Sequence, residues 1–192
     1  MARRTSLPTL RTQGGEIVAS VIGDAPLIVF IAGMPRSGST FTFNIVRELL
    51  ERRGRVHHEP HYSILSVLER SENADHLIVK AHSADPMTLR LLSVGAAKVV
   101  CSFRRPEDAI ASRMEAFDLT LKQSIEDMSS WLSMFRSLPA STLFLDFEEI
   151  QNHPVRTAIR IAREVCPGFV VTEAARLARK YSKKKLKLPL MR

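Results

Sequence analysis

Two stretches of this 192-residue chain combine residue types that bind anionic oxygen. Gly33-Met34-Pro35-Arg36-Ser37-Gly38-Ser39-Thr40 follows a short apolar run and opens a helical pattern. A glycine-bearing turn that feeds a helix N-terminus presents backbone N–H groups and a positive dipole end to one point. Arg36 adds permanent charge, and Ser37, Ser39 and Thr40 add hydroxyl donors. The stretch fits the ATP-binding template G-x-x-x-x-G-K-[ST] at Gly33, Gly38 and Thr40, but Ser39 stands where that template needs lysine. The second stretch, Arg104 to Ser112, sets an arginine at a strand end and a hydroxyl two turns into the next helix, a pair that can converge on one phosphate. Between them, Lys80 and His82 end an apolar run and point to the same side if the chain is extended there. His82 has the chemistry of a general base. Val56-His57-His58-Glu59-Pro60-His61 follows the first helix, and its uneven histidine spacing argues against a metal site.

The elements that must hold these groups alternate along the chain. Leu27 to Ile31 is a continuous β-rich run, as expected of a strand buried on both faces. Leu77 to Val79, Lys98 to Phe103 and Leu143 to Leu145 read as further strands. Helices are expected over 40–53, from Pro106 onward, along a stripe of Leu121, Ile125, Met128, Leu132 and Phe135, and over 149–165 and 172–181. Strand–helix alternation implies a three-layer α/β domain with a central parallel sheet, in which ligands bind beyond the carboxyl ends of the strands. Residues 1–16 are expected to form a flexible N-terminal arm, and 17–192 a single domain with a basic C-terminal tail.

The motifs at these strand ends resemble those of sulfotransferases that use 3′-phosphoadenosine-5′-phosphosulfate (PAPS). Their 5′-phosphosulfate loop reads close to P-K-S-G-T-T-W; here it is Pro35-Arg36-Ser37-Gly38-Ser39-Thr40-Phe41, with arginine for lysine and phenylalanine for tryptophan. Their 3′-phosphate site, approximately R-[NDR]-P-x-D-x-x-x-S, is matched by Arg104, Pro106, Asp108 and Ser112. The resemblance runs from about Leu27 to Phe169. It implies a P-loop-like sulfotransferase fold, cofactor contacts from Arg36, Ser37, Gly38, Ser39, Thr40, Phe41, Arg104 and Ser112, and release of adenosine 3′,5′-bisphosphate (PAP). Asp108 would then be a cap or brace. In many sulfotransferases the middle strand ends K-T-H, which aligns Lys80 and His82 with the assisting cation and the base. Carbohydrate sulfotransferases often carry an E-P element after the first helix, which makes Glu59 the second candidate base and sets His58 or His61 beside the acceptor. No metal is required. The acceptor would be a small molecule or carbohydrate bearing a hydroxyl, or as second choice an amine.

Composition sets the outer bounds. A net charge of +8 calls for an anionic partner without choosing one. Aromatic residues make up only 6%, which argues against a nucleic-acid stacking surface. Two cysteines, Cys101 and Cys166, cannot build a disulfide framework, and no apolar run is long enough to span a bilayer. A soluble, cytoplasmic protein is the expectation. The competing readings are a P-loop nucleotide kinase, a nucleic-acid-binding module, and a catalytically silent PAP-binding relative. The C-terminal Lys183, Lys184 and Lys185 either close loosely over the cofactor or form a solvated helix end.

Overall fold

A computed structural model describes residues 27–71 and 73–182; the expected arm and the C-terminal lysines lie outside them. Five strands form one parallel sheet: β1 (Leu27–Ala32), β2 (Val56–Pro60), β3 (His76–Ala81), β4 (Lys98–Phe103) and β5 (Leu143–Asp146), in the order β2-β3-β1-β4-β5. The expected three-layer α/β architecture is the observed one. β1 is central because it is apolar on both sides. Val29 and Ile31 enter one core, and Phe30 and Ala32 enter the other, all four fully buried.

On the first face pack α1 (Ser39–Leu50), α7 (Pro154–Val165) and α8 (Val171–Tyr181), through Phe41, Ile45, Val46, Leu49, Ile161 and Leu177. The other face carries α2 (Ile64–Arg70), α3 (Pro86–Ser93) and α5 (Leu121–Phe135), through Ile64, Val67, Leu92, Met128, Trp131 and Met134. Each fully buried aliphatic side chain contributes about 1.5–3 kcal/mol. Two further helices follow strand ends directly: α4 (Pro106–Phe117) after β4 and α6 (Phe147–Asn152) after β5.

Three details differ from the sequence expectation. The segment Val56–Pro60 is an edge strand, which its single aliphatic residue did not announce. The α5 stripe is turned: Leu121, Ile125 and Leu132 are exposed, while Ser124, Met128, Trp131 and Met134 face the core. The 149–165 helix is two helices, divided at His153 because proline at 154 disfavours helical backbone in the residue before it.

The sheet sets the site. After β1 the chain crosses to β2, returns as β3 beside β1, then passes to β4 on the other side of β1. Such a reversal opens a crevice at the carboxyl ends of the strands.

Candidate nucleotide and transfer site

The turn after β1 is tied to both neighbouring strand ends. Gly33 N–H donates to the Ala81 carbonyl at 3.1 Å and Met34 N–H to the Ser102 carbonyl at 2.8 Å. Gly33 must be glycine, since a Cβ there would sit 2.3 Å from the Ser39 Cβ. Gly38 (φ 84°) and Arg36 (φ 64°) both adopt left-handed backbone. For arginine this costs roughly 1–2 kcal/mol. Ser37 offsets it from inside the fold: its fully buried hydroxyl has the carbonyls of Met34 (2.7 Å) and Ser102 (2.9 Å) within reach of its one O–H and lies 2.7 Å from Ser102 Oγ. Its hydroxyl therefore anchors the turn from below and is not on the cavity wall. The backbone N–H groups of Gly38, Ser39 and Thr40 donate to no described residue. They point from the start of α1 as open donors, the arrangement that binds anions.

A cavity of about 600 Å³ lies over this turn. Arg36, Gly38, Ser39, Thr40 and Phe41 line it from the turn, Lys80 and His82 from the end of β3, and Arg104 and Ser112 from the end of β4 and from α4. The structure thus brings together every expected site residue except Ser37 and Glu59. Arg36 spans the two anion motifs, with its Nε donating to Ser112 Oγ at 3.1 Å. The Arg104 guanidinium stacks 4.3 Å from the centre of the Phe147 ring, and its nearest carboxylate, Asp108, is 4.0 Å away. Asp108 instead binds Arg105 at 2.8 Å. Ile150, from the same helix as Phe147, backs Gly38.

Lys80 Nζ donates to Thr40 Oγ1 at 3.1 Å, and burial lowers the affinity of its amine for a proton. His82 Nδ1 is hydrogen-bonded to the Gly33 carbonyl, which can only accept. The proton of the neutral ring therefore sits on Nδ1, and Nε2 is left as the proton acceptor. Burial is the main cause that holds His82 below the ordinary imidazole range, and nearby Lys80 and Arg113 act in the same direction. Glu59 lies elsewhere. Its carboxylate binds Arg70 at 2.8 and 3.2 Å, and this guanidinium holds it below the usual carboxylate range. His58 and His61 are also off the cavity wall; His61 stacks on Tyr62. Among the described residues no group of three His, Cys, Asp or Glu side chains is placed to hold a metal ion.

Sequence reasoning missed the groups that helices bring from afar. Asn44, Arg113, Phe117, Gln151 and Asn152 line the cavity, and the end of α8 adds Lys180, Tyr181 and Ser182. Lys180 and Tyr181 both bind Glu48 of α1 and so pin this last turn beside the cavity. Among the described residues no wall residue is a carboxylate.

A parallel sheet with an anion-binding turn after its first strand defines a P-loop-like nucleotide-binding fold. The family model of the sulfotransferase domain matches residues 27–165, and the chain belongs to that family. No curated protein matches the sequence. Among solved structures the chain is similar in fold to mouse sulfotransferase SULT7A1 complexed with PAP, with a TM-score of 0.63 at 18% identity over 88% of this chain and 68% of that one. It is also similar to retinol dehydratase in complex with androsterone and the inactive cofactor PAP (TM-score 0.57, 17% identity, 84% of this chain, 66% of that one). The same enzyme with retinol and PAP gives 0.58 at 17% identity over 85% and 67%. The chain therefore spans about two thirds of the length of these structures. Among the described residues no helix is long and apolar enough to cross a membrane.

Proposed function

We propose that this protein transfers a sulfuryl group from PAPS to an acceptor hydroxyl. The observation that carries the reading is convergence: the open donors of the β1 turn, Arg36, Arg104 and Ser112 share one cavity, free of carboxylates among the described residues, with the proton-accepting nitrogen of His82. The residues fit the cofactor. The donors of residues 38–40 and Arg36 would hold the 5′-phosphosulfate, and Arg104 and Ser112 the 3′-phosphate, by charge-assisted hydrogen bonds. When bound, PAPS supplies an activated sulfuryl group whose S–O bond to the 5′-phosphate breaks as the acceptor O–S bond forms, the electron pair leaving on the PAP oxygen.

His82 Nε2 takes the acceptor proton, and the ring becomes an imidazolium held by Gly33. Arg36 and Lys80 place positive charge where oxygen charge develops, so no reorganisation is needed at the moment of transfer. A small-molecule or carbohydrate acceptor would enter from the His82 end. Glu59, engaged with Arg70 off the cavity wall, leaves His82 as the base of choice.

Calorimetric titration with PAP, ATP and adenosine 5′-phosphate tests the nucleotide class, and turnover of labelled PAPS then separates an enzyme from a silent PAP-binding protein. Selective PAP binding with transfer supports the reading. Preference for ATP refutes it and favours a nucleotide kinase, against which Ser39 in the lysine position already weighs.

A further inference from the structure

Among the described residues, Arg113 is the cation of this cavity that the cofactor would not use. Of the five cationic residues that the described chain places on the wall, Arg36, Lys80 and Arg104 serve PAPS in the reading proposed above, on which this inference rests, and Lys180 is held by Glu48. Arg113 follows Ser112 on α4, so its side chain projects about 100° further round the helix axis. That turn carries it to the His82 side, where its field and that of Asp127 both act on the imidazole.

The side chain is fixed and only partly engaged. Its Nη2 binds Asp127 of α5, and its guanidinium lies 5.5 Å from the centre of the Phe117 ring. The arginine side chain is 20% exposed, while the Asp127 side chain is 47% exposed and keeps much of its hydration. Nε is buried without a hydrogen-bond partner. Among the described residues nothing accepts from Nη1 either. A preorganised, planar donor fork with spare N–H groups beside the base fits paired anionic oxygens better than any neutral group. A neutral acceptor that covered this guanidinium would strip water from it and return no hydrogen bond, which a built polar site penalises strongly.

We propose that Arg113 selects the acceptor by binding an anionic group, a carboxylate or a sulfonate-type oxyanion, on the molecule whose hydroxyl is placed against His82. Asp127 is its resting partner and yields to the incoming anion.

The test uses the full chain saturated with PAP, titrated with 4-hydroxyphenylacetate, 4-hydroxybenzenesulfonate and neutral 4-(2-hydroxyethyl)phenol. Affinity is read by calorimetry and the contact by the NMR resonance of the Arg113 Nε–H. At least one anion should bind roughly ten- to a hundredfold more tightly than the neutral phenol and shift that resonance. The two anions separate carboxylate from sulfonate preference. Arg113→Gln should erase the preference while PAP affinity stays within about threefold, and Asp127→Asn should keep it. Equal affinity for all three probes, no binding of either anion, or a preference that survives Arg113→Gln overturns the proposal. So does an equal loss in Asp127→Asn, which would mean that the pair only ties α4 to α5. Failure to bind PAP at all refutes the sulfotransferase reading itself, a separate outcome seen before any acceptor is added.

Discussion

Replacing Arg104 with alanine should convert a PAP site into an adenosine 5′-phosphate site. The guanidinium has no close carboxylate: Asp108 is 4.0 Å away and already bound by Arg105 at 2.8 Å. Removing Arg104 thus orphans no buried charge. The folded protein should lose only the stacking on Phe147, worth about 0.5–1 kcal/mol at a partly exposed position. The nucleotide loses more. A hydrogen bond to a charged group contributes about 1.5–3 kcal/mol, so PAP affinity should fall roughly 10- to 150-fold. Adenosine 5′-phosphate, which has no group to meet Arg104, should change by less than about threefold. Calorimetry with both nucleotides at two salt concentrations reads the difference, and a thermal melt checks that the fold survives. Ser112→Ala should repeat the pattern at smaller size, since it removes a neutral donor and frees Arg36 Nε from its 3.1 Å contact. Equal losses for the two nucleotides would refute the assignment of the second strand-end motif to the 3′-phosphate.

His82→Ala should lower turnover by about 10²–10⁴-fold while PAP affinity is kept, as measured by labelled transfer and calorimetry; full activity in that variant would remove His82 as the base. Because burial pushes the His82 pKa below the ordinary 6.5, the neutral, competent ring persists to lower pH than a free imidazole. The kcat/KM profile should therefore fall on the acid side with a midpoint below pH 6.5, and a midpoint at or above it contradicts the mechanism. Glu59→Gln should change turnover by less than about twofold, since its carboxylate is bound to Arg70 off the cavity wall; a loss comparable to that of His82→Ala would restore it as the base. Gly33→Ala should reduce both PAP affinity and turnover, because the added Cβ meets the Ser39 Cβ at 2.3 Å; unchanged kinetics would show that the turn relaxes.

What the sequence made legible is what local chemistry decides. A central strand is apolar over its whole length, so Leu27–Ala32 announced itself, and a strand end followed by glycine, hydroxyls and arginine can be read over eight residues. His82 was legible because it closes such a strand. Side-chain direction inside a turn was not: Ser37 looked like a phosphate donor, yet the left-handed backbone at Arg36 and Gly38 turns it down onto Ser102. Edge strand β2 has one aliphatic residue, Val56, and pairs only with β3, so the periodic signal of a buried strand is absent. The α5 stripe was misjudged because Trp131 and Met134 outweigh Leu121 and Ile125 in filling the core, which no spacing rule weighs. Arg113, Asn152 and Tyr181 reach the cavity only through helix packing. Asn152 and Tyr181 lie outside both anion motifs, and Arg113, although it follows Ser112, falls just beyond the second.

The base and the phosphate turn are one hydrogen-bonded unit. Gly33 gives its N–H to Ala81, the residue before His82, and its carbonyl to the ring of His82 itself. The tautomer of the base is consequently set by the first peptide of the anion-binding turn. Met34 and Ser37 fasten the same turn to Ser102, two residues before Arg104. The proposed cofactor cradle, 3′-phosphate arginine and base are therefore spaced by short hydrogen bonds between three adjacent strand ends. This explains why arginine can stand where the sulfotransferase loop that the sequence resembles has lysine. The cradle's geometry comes from peptides, and the side chain at position 36 needs only to bring charge across to Ser112. It also separates the expected mutational classes: changes at Arg104 should act on nucleotide binding alone, changes at His82 on transfer alone, and changes at Gly33 on both.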